Sequence, residues 1–237
     1  MEKGILYGVG VGPGDPELMT LKAVNIARRA DMIAVPHKDP TKCTALSIAL
    51  KAVPEIKQKP ILPVDMPMTK DKVKLEQAYA AGAQALMDAL EEGKTVCFLT
   101  LGDPTVYSTY LYLHKRAAAA GYQAEIIPGV PSFCAAAAAL GISLCENEQQ
   151  LHIIPGTYTP REALDYPGVK VMMKNNLPAT LAALRERGDE AVMAENCGMD
   201  NQRLFRSLDE IPQDAGYFSL LIVKDGKARP EELNPEP

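Results

Sequence analysis

Four glycines at alternate positions run through Leu6-Tyr7-Gly8-Val9-Gly10-Val11-Gly12-Pro13-Gly14-Asp15-Pro16, and no other stretch restricts the fold as strongly. The residues Ile5 to Val9 read as a strand. Asp15 followed by Pro16 reads as a helix cap with proline at the first helical position, opening a helix over Glu17 to Arg29. Strand, glycine turn and helix in that order place the turn at the carboxyl edge of a sheet, where α/β proteins bind small ligands. Glycine there permits positive φ and lets a ligand approach the backbone.

The spacing argues against a dinucleotide fingerprint. Counted from Gly8 and Gly10, the third position of Gly-x-Gly-x-x-Gly is Pro13; counted from Gly10 and Gly12 it is Asp15. No Gly-Lys-Ser/Thr phosphate loop follows, and Asp15 and Glu17 at the helix start repel a pyrophosphate. A turn of this kind also serves without any ligand, so a second motif has to decide.

Composition narrows the partners. A formal net charge of −5 leaves no lysine and arginine excess to neutralise phosphates, against a nucleic-acid partner. The five cysteines (Cys43, Cys97, Cys134, Cys145, Cys197) are odd in number and lack a Cys-x-x-Cys pair, so they read as buried reduced thiols of a cytoplasmic protein. His37, His114 and His152 stand far apart, and no metal site is expected. Ile5 to Val11 is too short for a signal peptide, and no run approaches the roughly 18 apolar residues of a membrane span.

Strand and helix patterns alternate through the first half: strands at Ile5 to Val9, Met32 to Val35 and Val96 to Leu101, helices at Glu17 to Arg29, Thr44 to Val53 and Lys70 to Glu92. This is the pattern of a mainly parallel sheet with crossover helices. In the last helix Val73, Ala80, Ala83, Leu86, Met87 and Leu90 share a face expected to pack on the sheet. Ile61 to Met68 is apolar but broken by prolines and reads as a surface connection. Beyond Gly121 strands follow one another with few helices: Glu125 to Ile127, Leu151 to Ile154, Val169 to Met173, Ala191 to Glu195, Arg203 to Ser207 and Phe218 to Val223, with a helix at Phe133 to Leu140. The fold class expected is therefore α/β, in two α/β domains with a mainly parallel N-terminal and a mixed C-terminal sheet. The domains are placed at 1–118 and 119–229, with a disordered tail at 230–237.

A second loop, Gly102-Asp103-Pro104-Thr105-Val106-Tyr107-Ser108, follows the strand Val96 to Leu101 at the same sheet edge. A third, Pro128-Gly129-Val130-Pro131-Ser132-Phe133, follows Ile126-Ile127 and leads into a helix with Ser132 as its cap. The three together, in this order and spacing over residues 4 to about 225, resemble the S-adenosyl-methionine-dependent tetrapyrrole (corrin/porphyrin) methyltransferases. Within them the chain is most similar to those acting at carbon 20 of precorrin-2 or cobalt-factor II, through Leu6 to Leu18 and Leu99 to Tyr110.

That resemblance implies two α/β domains, S-adenosyl-L-methionine as methyl donor with S-adenosyl-L-homocysteine as product, a tetrapyrrole substrate of cobalamin biosynthesis, and a homodimer. It implies cofactor binding by Leu101, Gly102, Asp103, Val106, Ser132, Phe133, Met173, Cys197, Tyr217 and Phe218. Pro13 and Gly14 are expected to face the tetrapyrrole, and the carboxylate-rich ring calls for basic groups, for which Lys38, Lys42, Lys174 and Arg203 are the candidates. The proton leaving the methylated carbon goes to Tyr107, Asp103 or water. The alternatives are another reaction of the same family, at a different ring position or on uroporphyrinogen III, and a nucleotide-binding enzyme using the glycine loops.

Overall fold

The computed structural model describes residues 3–173 and 176–224. The chain forms two compact units with the break after Pro131. Among the described residues of the first unit, Ile5–Gly10 (β1), Met32–Val35 (β2), Ile61–Pro63 (β3), Val96–Thr100 (β4) and Gln123–Ile127 (β5) form one sheet in the order β3-β2-β4-β1-β5. Every pairing is parallel. Leu21–Arg29 (α1) and Thr44–Ala52 (α2) cover one face, and Lys72–Glu91 (α3) and Tyr110–Ala119 (α4) the other.

Strand β4 lies between β2 and β1 and is buried at all five residues, which is why it reads as an unbroken apolar run. Cys97 and Leu99 enter the core with Ile26 and Leu46, while Val96 and Phe98 enter the opposite core with Leu86 and Leu113. Fully burying a side chain such as Phe98 stabilises the fold by roughly 1.5–3 kcal/mol. The buried stripe of α3 runs from Gly82 to Leu90, whereas Val73, expected on the packed face, is 66% exposed in the charged first turn.

Three expectations for this unit need correction. The helix from Glu17 to Arg29 is broken: Asp15 caps only a short 3-10 turn, Pro16–Leu18, through a 2.8 Å bond from the Glu17 amide. The extended Met19 and Thr20 follow, and the Thr20 hydroxyl caps α1. The segment expected as a surface connection contains β3, an edge strand that tolerates Pro63 at its end. The boundary expected at 118/119 falls instead after Pro131, because β5 pairs with β1 from Ile5↔Gln123 to Val9↔Ile127.

In the second unit Leu151–Pro155 (β6), Val169–Met173 (β7), Ala191–Glu195 (β8), Arg203–Phe205 (β9) and Ser219–Val223 (β10) form a sheet in the order β6-β7-β10-β8-β9. β6 and β7 are parallel and the other pairs antiparallel, so the sheet is mixed as expected. Ser132–Leu140 (α5) packs on β8, β9 and β10, and its run of alanines allows close approach. Ser132 is the first residue of α5 and not a cap preceding it.

Pro160–Leu164 (α6) and Leu177–Arg187 (α7) share a core with Met172, Met193 and Leu221. Neither helix is foreseen from the sequence. α6 carries a capping box between Thr159 and Glu162, and α7 ends on Gly188 at φ +69. Of the cysteines only Cys43 and Cys97 are buried; Cys134 and Cys145 are exposed, because they lie on the outer side of α5 and in the loop before β6. The expected tail at 230–237 lies outside the described residues.

Candidate active site

The chain leaves β1 toward β2 and leaves β4 toward β5, in opposite directions from two adjacent strands. Such a switch point opens a crevice at the carboxyl ends of the strands. The loops after β1, β4 and β5 meet there. Gly12 and Gly102 form an isolated antiparallel bridge, with the Gly102 amide donating to the Gly12 carbonyl at 2.8 Å. The Val11 amide donates to the Thr100 carbonyl at 2.9 Å.

This convergence requires glycine. A Cβ on Gly10 would stand 2.6 Å from the Gly102 carbonyl oxygen and 2.7 Å from the Gly129 Cα. A Cβ on Gly129 would stand 2.2 Å from that same oxygen. Backbone atoms have no rotamer by which to yield, so the three loops fit together only without side chains at these positions.

Asp103 ties the third loop to the second. It is 8% exposed, its Oδ2 accepts from the Gly129 amide at 2.9 Å, and its Oδ1 accepts from the Thr105 amide at 2.7 Å and from the Thr105 hydroxyl. With three donors on one carboxylate, Asp103 clamps the loop after β5 to the loop after β4. Tyr107, four residues on, adopts φ +49 with its ring 55% exposed. Left-handed backbone at a bulky residue is strained by about 1–3 kcal/mol and concentrates at functional loops.

The expected residues fall into two groups. In the first unit Leu101, Gly102, Asp103, Val106 and Tyr107 lie on the loop after β4, with Pro13 and Gly14, both buried, on the loop after β1. Lys38 and Lys42 lie on the loop after β2, at the same carboxyl edge and exposed; Lys42 stands 3.8 Å from Asp39. In the second unit Met173 ends β7, Cys197 follows β8, and Tyr217 and Phe218 precede β10, so they share one edge of that sheet. The Asn196 amide donates to the Phe218 carbonyl at 3.0 Å, and the Tyr217 and Phe218 rings pack edge to face. Ser132 and Phe133 open α5, three and four residues along the chain from Gly129. Lys174 lies outside the described residues.

Arg203 does not present a free cation. Its Nε donates to Glu195 Oε2 at 2.6 Å, with Nη2 at 2.5 Å from the same oxygen, an ion pair with a carboxylate that is 3% exposed. Glu195 Oε1 accepts from the Gly216 amide at 2.6 Å, which holds the segment leading into Tyr217 and Phe218. Sequence reasoning misses Glu195, since the contact depends on the β8–β9 register that sets Glu195 opposite Arg203.

Perturbed groups nearby are structural. Burial pushes the Cys97 thiol up to about 12, and burial raises the Tyr110 phenol and the Cys197 thiol above their ordinary values. The Tyr110 ring occupies the space beside Gly8, where a Cβ would stand 1.9 Å from it.

Residues 5–212 match the family model of the tetrapyrrole (corrin/porphyrin) methylases. A precorrin-2 C(20)-methyltransferase from Sinorhizobium sp. is 34% identical, over 96% of this chain and 98% of that one. A probable cobalt-precorrin-2 C(20)-methyltransferase from Methanocaldococcus jannaschii is also 34% identical, over 92% and 95%. The X-ray structure of a cobalt precorrin-4 methyltransferase superposes with a TM-score of 0.72 at 18% identity, covering 93% of this chain and 94% of that one. The chain belongs to the tetrapyrrole (corrin/porphyrin) methylases.

Proposed function

We propose that the protein transfers a methyl group from S-adenosyl-L-methionine to carbon 20 of precorrin-2 or its cobalt-bearing counterpart, a step in cobalamin biosynthesis. The observation that carries the reading is the gathering of the Gly12, Gly102 and Gly129 loops at the switch point, locked by Asp103. The relatives named for this reaction support the choice of carbon. The residues fit a small donor molecule: Gly102 sits at φ +70, and a Cβ there would meet nothing within 4 Å, so the backbone borders open space.

The donor supplies a methyl group on a cationic sulfonium. Displacement at that methyl needs no nucleophile from the protein, because an electron-rich ring carbon attacks. The chain's contribution is positioning, which for a well-aligned pair supplies on the order of 7–11 kcal/mol. Leu101, Gly102 and Val106, with Ser132 and Phe133, hold the donor through backbone groups that need no ordering on binding. The buried Asp103 charge also favours a cation at the neighbouring loop. Met173, Cys197, Tyr217 and Phe218 are the second unit's candidates for the donor, and the Glu195 bond from the Gly216 amide holds the segment before the last two.

Pro13 and Gly14 face the ring, and Lys38 and Lys42 meet its carboxylates. The departing ring proton passes to Tyr107 or to water, since Asp103 is committed to the clamp. The enzyme works in the cytoplasm as a homodimer, which light scattering of the purified protein checks; no described helix is long and apolar enough to cross a membrane.

Calorimetric titration with S-adenosyl-L-homocysteine should show one site per chain. Turnover of metal-free and cobalt-loaded precorrin-2 with methyl-labelled donor should then place one label at carbon 20, read by mass and carbon NMR. Absence of binding to S-adenosyl-L-homocysteine, or a label at another ring carbon, would overturn the reading.

A further inference from the structure

Thr100, the last residue of β4, is 7% exposed, and its Oγ1 is wholly buried without a hydrogen-bond partner among the described residues. The surroundings explain why the chain itself offers it none. Across the ladder on one side stands Gly10, which has no side chain, and on the other side β2 ends at Val35 before Pro36. The Thr100 carbonyl is already taken by the Val11 amide. Valine has the same shape and a higher preference for a buried strand, so a hydroxyl kept here without a partner destabilises the fold and gives nothing to packing.

We propose that the Thr100 hydroxyl is a positioning group that hydrogen-bonds a polar group of the bound S-adenosyl donor. The inference rests on the methyltransferase reading above and extends it to a residue to which that reading assigns no part. Three features point to the donor and not to the macrocycle. Thr100 is adjacent to Leu101 and Gly102, the loop assigned to the donor. The open space at Gly102 lies two residues away. A hydroxyl buried this deeply admits only a narrow group, whereas a tetrapyrrole is broad and carries its carboxylates at the rim. A threonine hydroxyl both donates and accepts, so it can meet either polarity on the ligand.

The test compares wild type, Thr100→Val and Thr100→Ser. In the absence of ligand, Thr100→Val should melt about 2–4 °C above wild type, because an orphaned buried hydroxyl is replaced by a methyl. The same variant should bind S-adenosyl-L-homocysteine about three- to tenfold more weakly, equivalent to about 0.7–1.4 kcal/mol, and show a smaller ligand-induced melting shift. Thr100→Ser, which keeps the hydroxyl, should bind as wild type does. The KM for the tetrapyrrole should stay within twofold in both variants.

A merely structural hydroxyl would give the opposite pattern: Thr100→Val less stable without ligand, with unchanged affinity. Unchanged affinity of Thr100→Val, or a tetrapyrrole KM that moves while donor affinity does not, overturns the proposal. If wild type itself fails to bind S-adenosyl-L-homocysteine, the methyltransferase reading falls first, so the two failures are distinguishable.

Discussion

Replacing Asp103 by asparagine separates a clamp from a proton acceptor. In the native loop both carboxylate oxygens accept, one from the Gly129 amide and the other from the Thr105 amide and hydroxyl. Asparagine supplies one acceptor and one donor. With its oxygen toward Thr105, the new NH2 faces the Gly129 N–H; flipped, it faces the Thr105 N–H. Either way a charge-assisted bond worth roughly 1.5–3 kcal/mol is lost, and a buried amide left unpaired adds about 1–3 kcal/mol. Partial relaxation brings the expected loss to about 3 kcal/mol, more than a hundredfold in the unfolding equilibrium. Urea unfolding followed by circular dichroism, with an unchanged denaturant slope, measures it directly. Affinity for S-adenosyl-L-homocysteine should fall at least tenfold as the loops separate. A stability change under about 0.5 kcal/mol together with abolished turnover would refute the clamp and restore Asp103 as a proton acceptor.

Gly129→Ala and Gly102→Ala should fail differently. The first drives a methyl into backbone and should destabilise by about 2–3 kcal/mol, while the second meets only its left-handed φ, about 1–2 kcal/mol, yet should weaken donor binding; equal stability losses in urea would contradict the geometry. Cys97 gives a pH signature. Its folded-state value, about 12, lies above the ordinary 9.0, so the native state holds the proton longer and the stabilisation present below pH 9 declines above it. By pH 10.5 the loss is about 2 kcal/mol, and Cys97→Val should flatten that slope in unfolding curves. Lys38→Glu and Lys42→Glu should raise the tetrapyrrole KM and leave affinity for S-adenosyl-L-homocysteine intact; unaltered KM in both removes them from the substrate site.

What could be read from the sequence follows from where each element sits. β1, β2 and β4 are internal parallel strands, so burial on both faces turns them into apolar runs that stand out. β3 escapes notice because an edge strand accepts proline, and Pro60 and Pro63 disguise it. The break after Leu18 is hidden by two competing cap signals, Asp15 and Thr20, only the second of which starts an α-helix. α7 carried readable marks: an Asn176 cap, Pro178 in the first turn, Leu177, Leu181 and Leu184 on one face, and Gly188 beyond the end. The glycine loops were legible because close backbone contact demands a residue without a side chain. Gly129 as a partner of Asp103 and Arg203 as a partner of Glu195, by contrast, lie 26 and 8 residues away, and only the assembled sheets decide which donors reach them.

A methyl on Gly10 or on Gly129 would need the volume held by the other and by the Gly102 carbonyl, so neither can change alone without displacing the backbone around it. The cradle is in effect indivisible, and a lineage or a designer seeking another regiochemistry has no small step available inside it. Freedom lies on the outward side chains of the same loop, Tyr107 and Thr109, both exposed, where diversification leaves the knot of backbone beneath untouched.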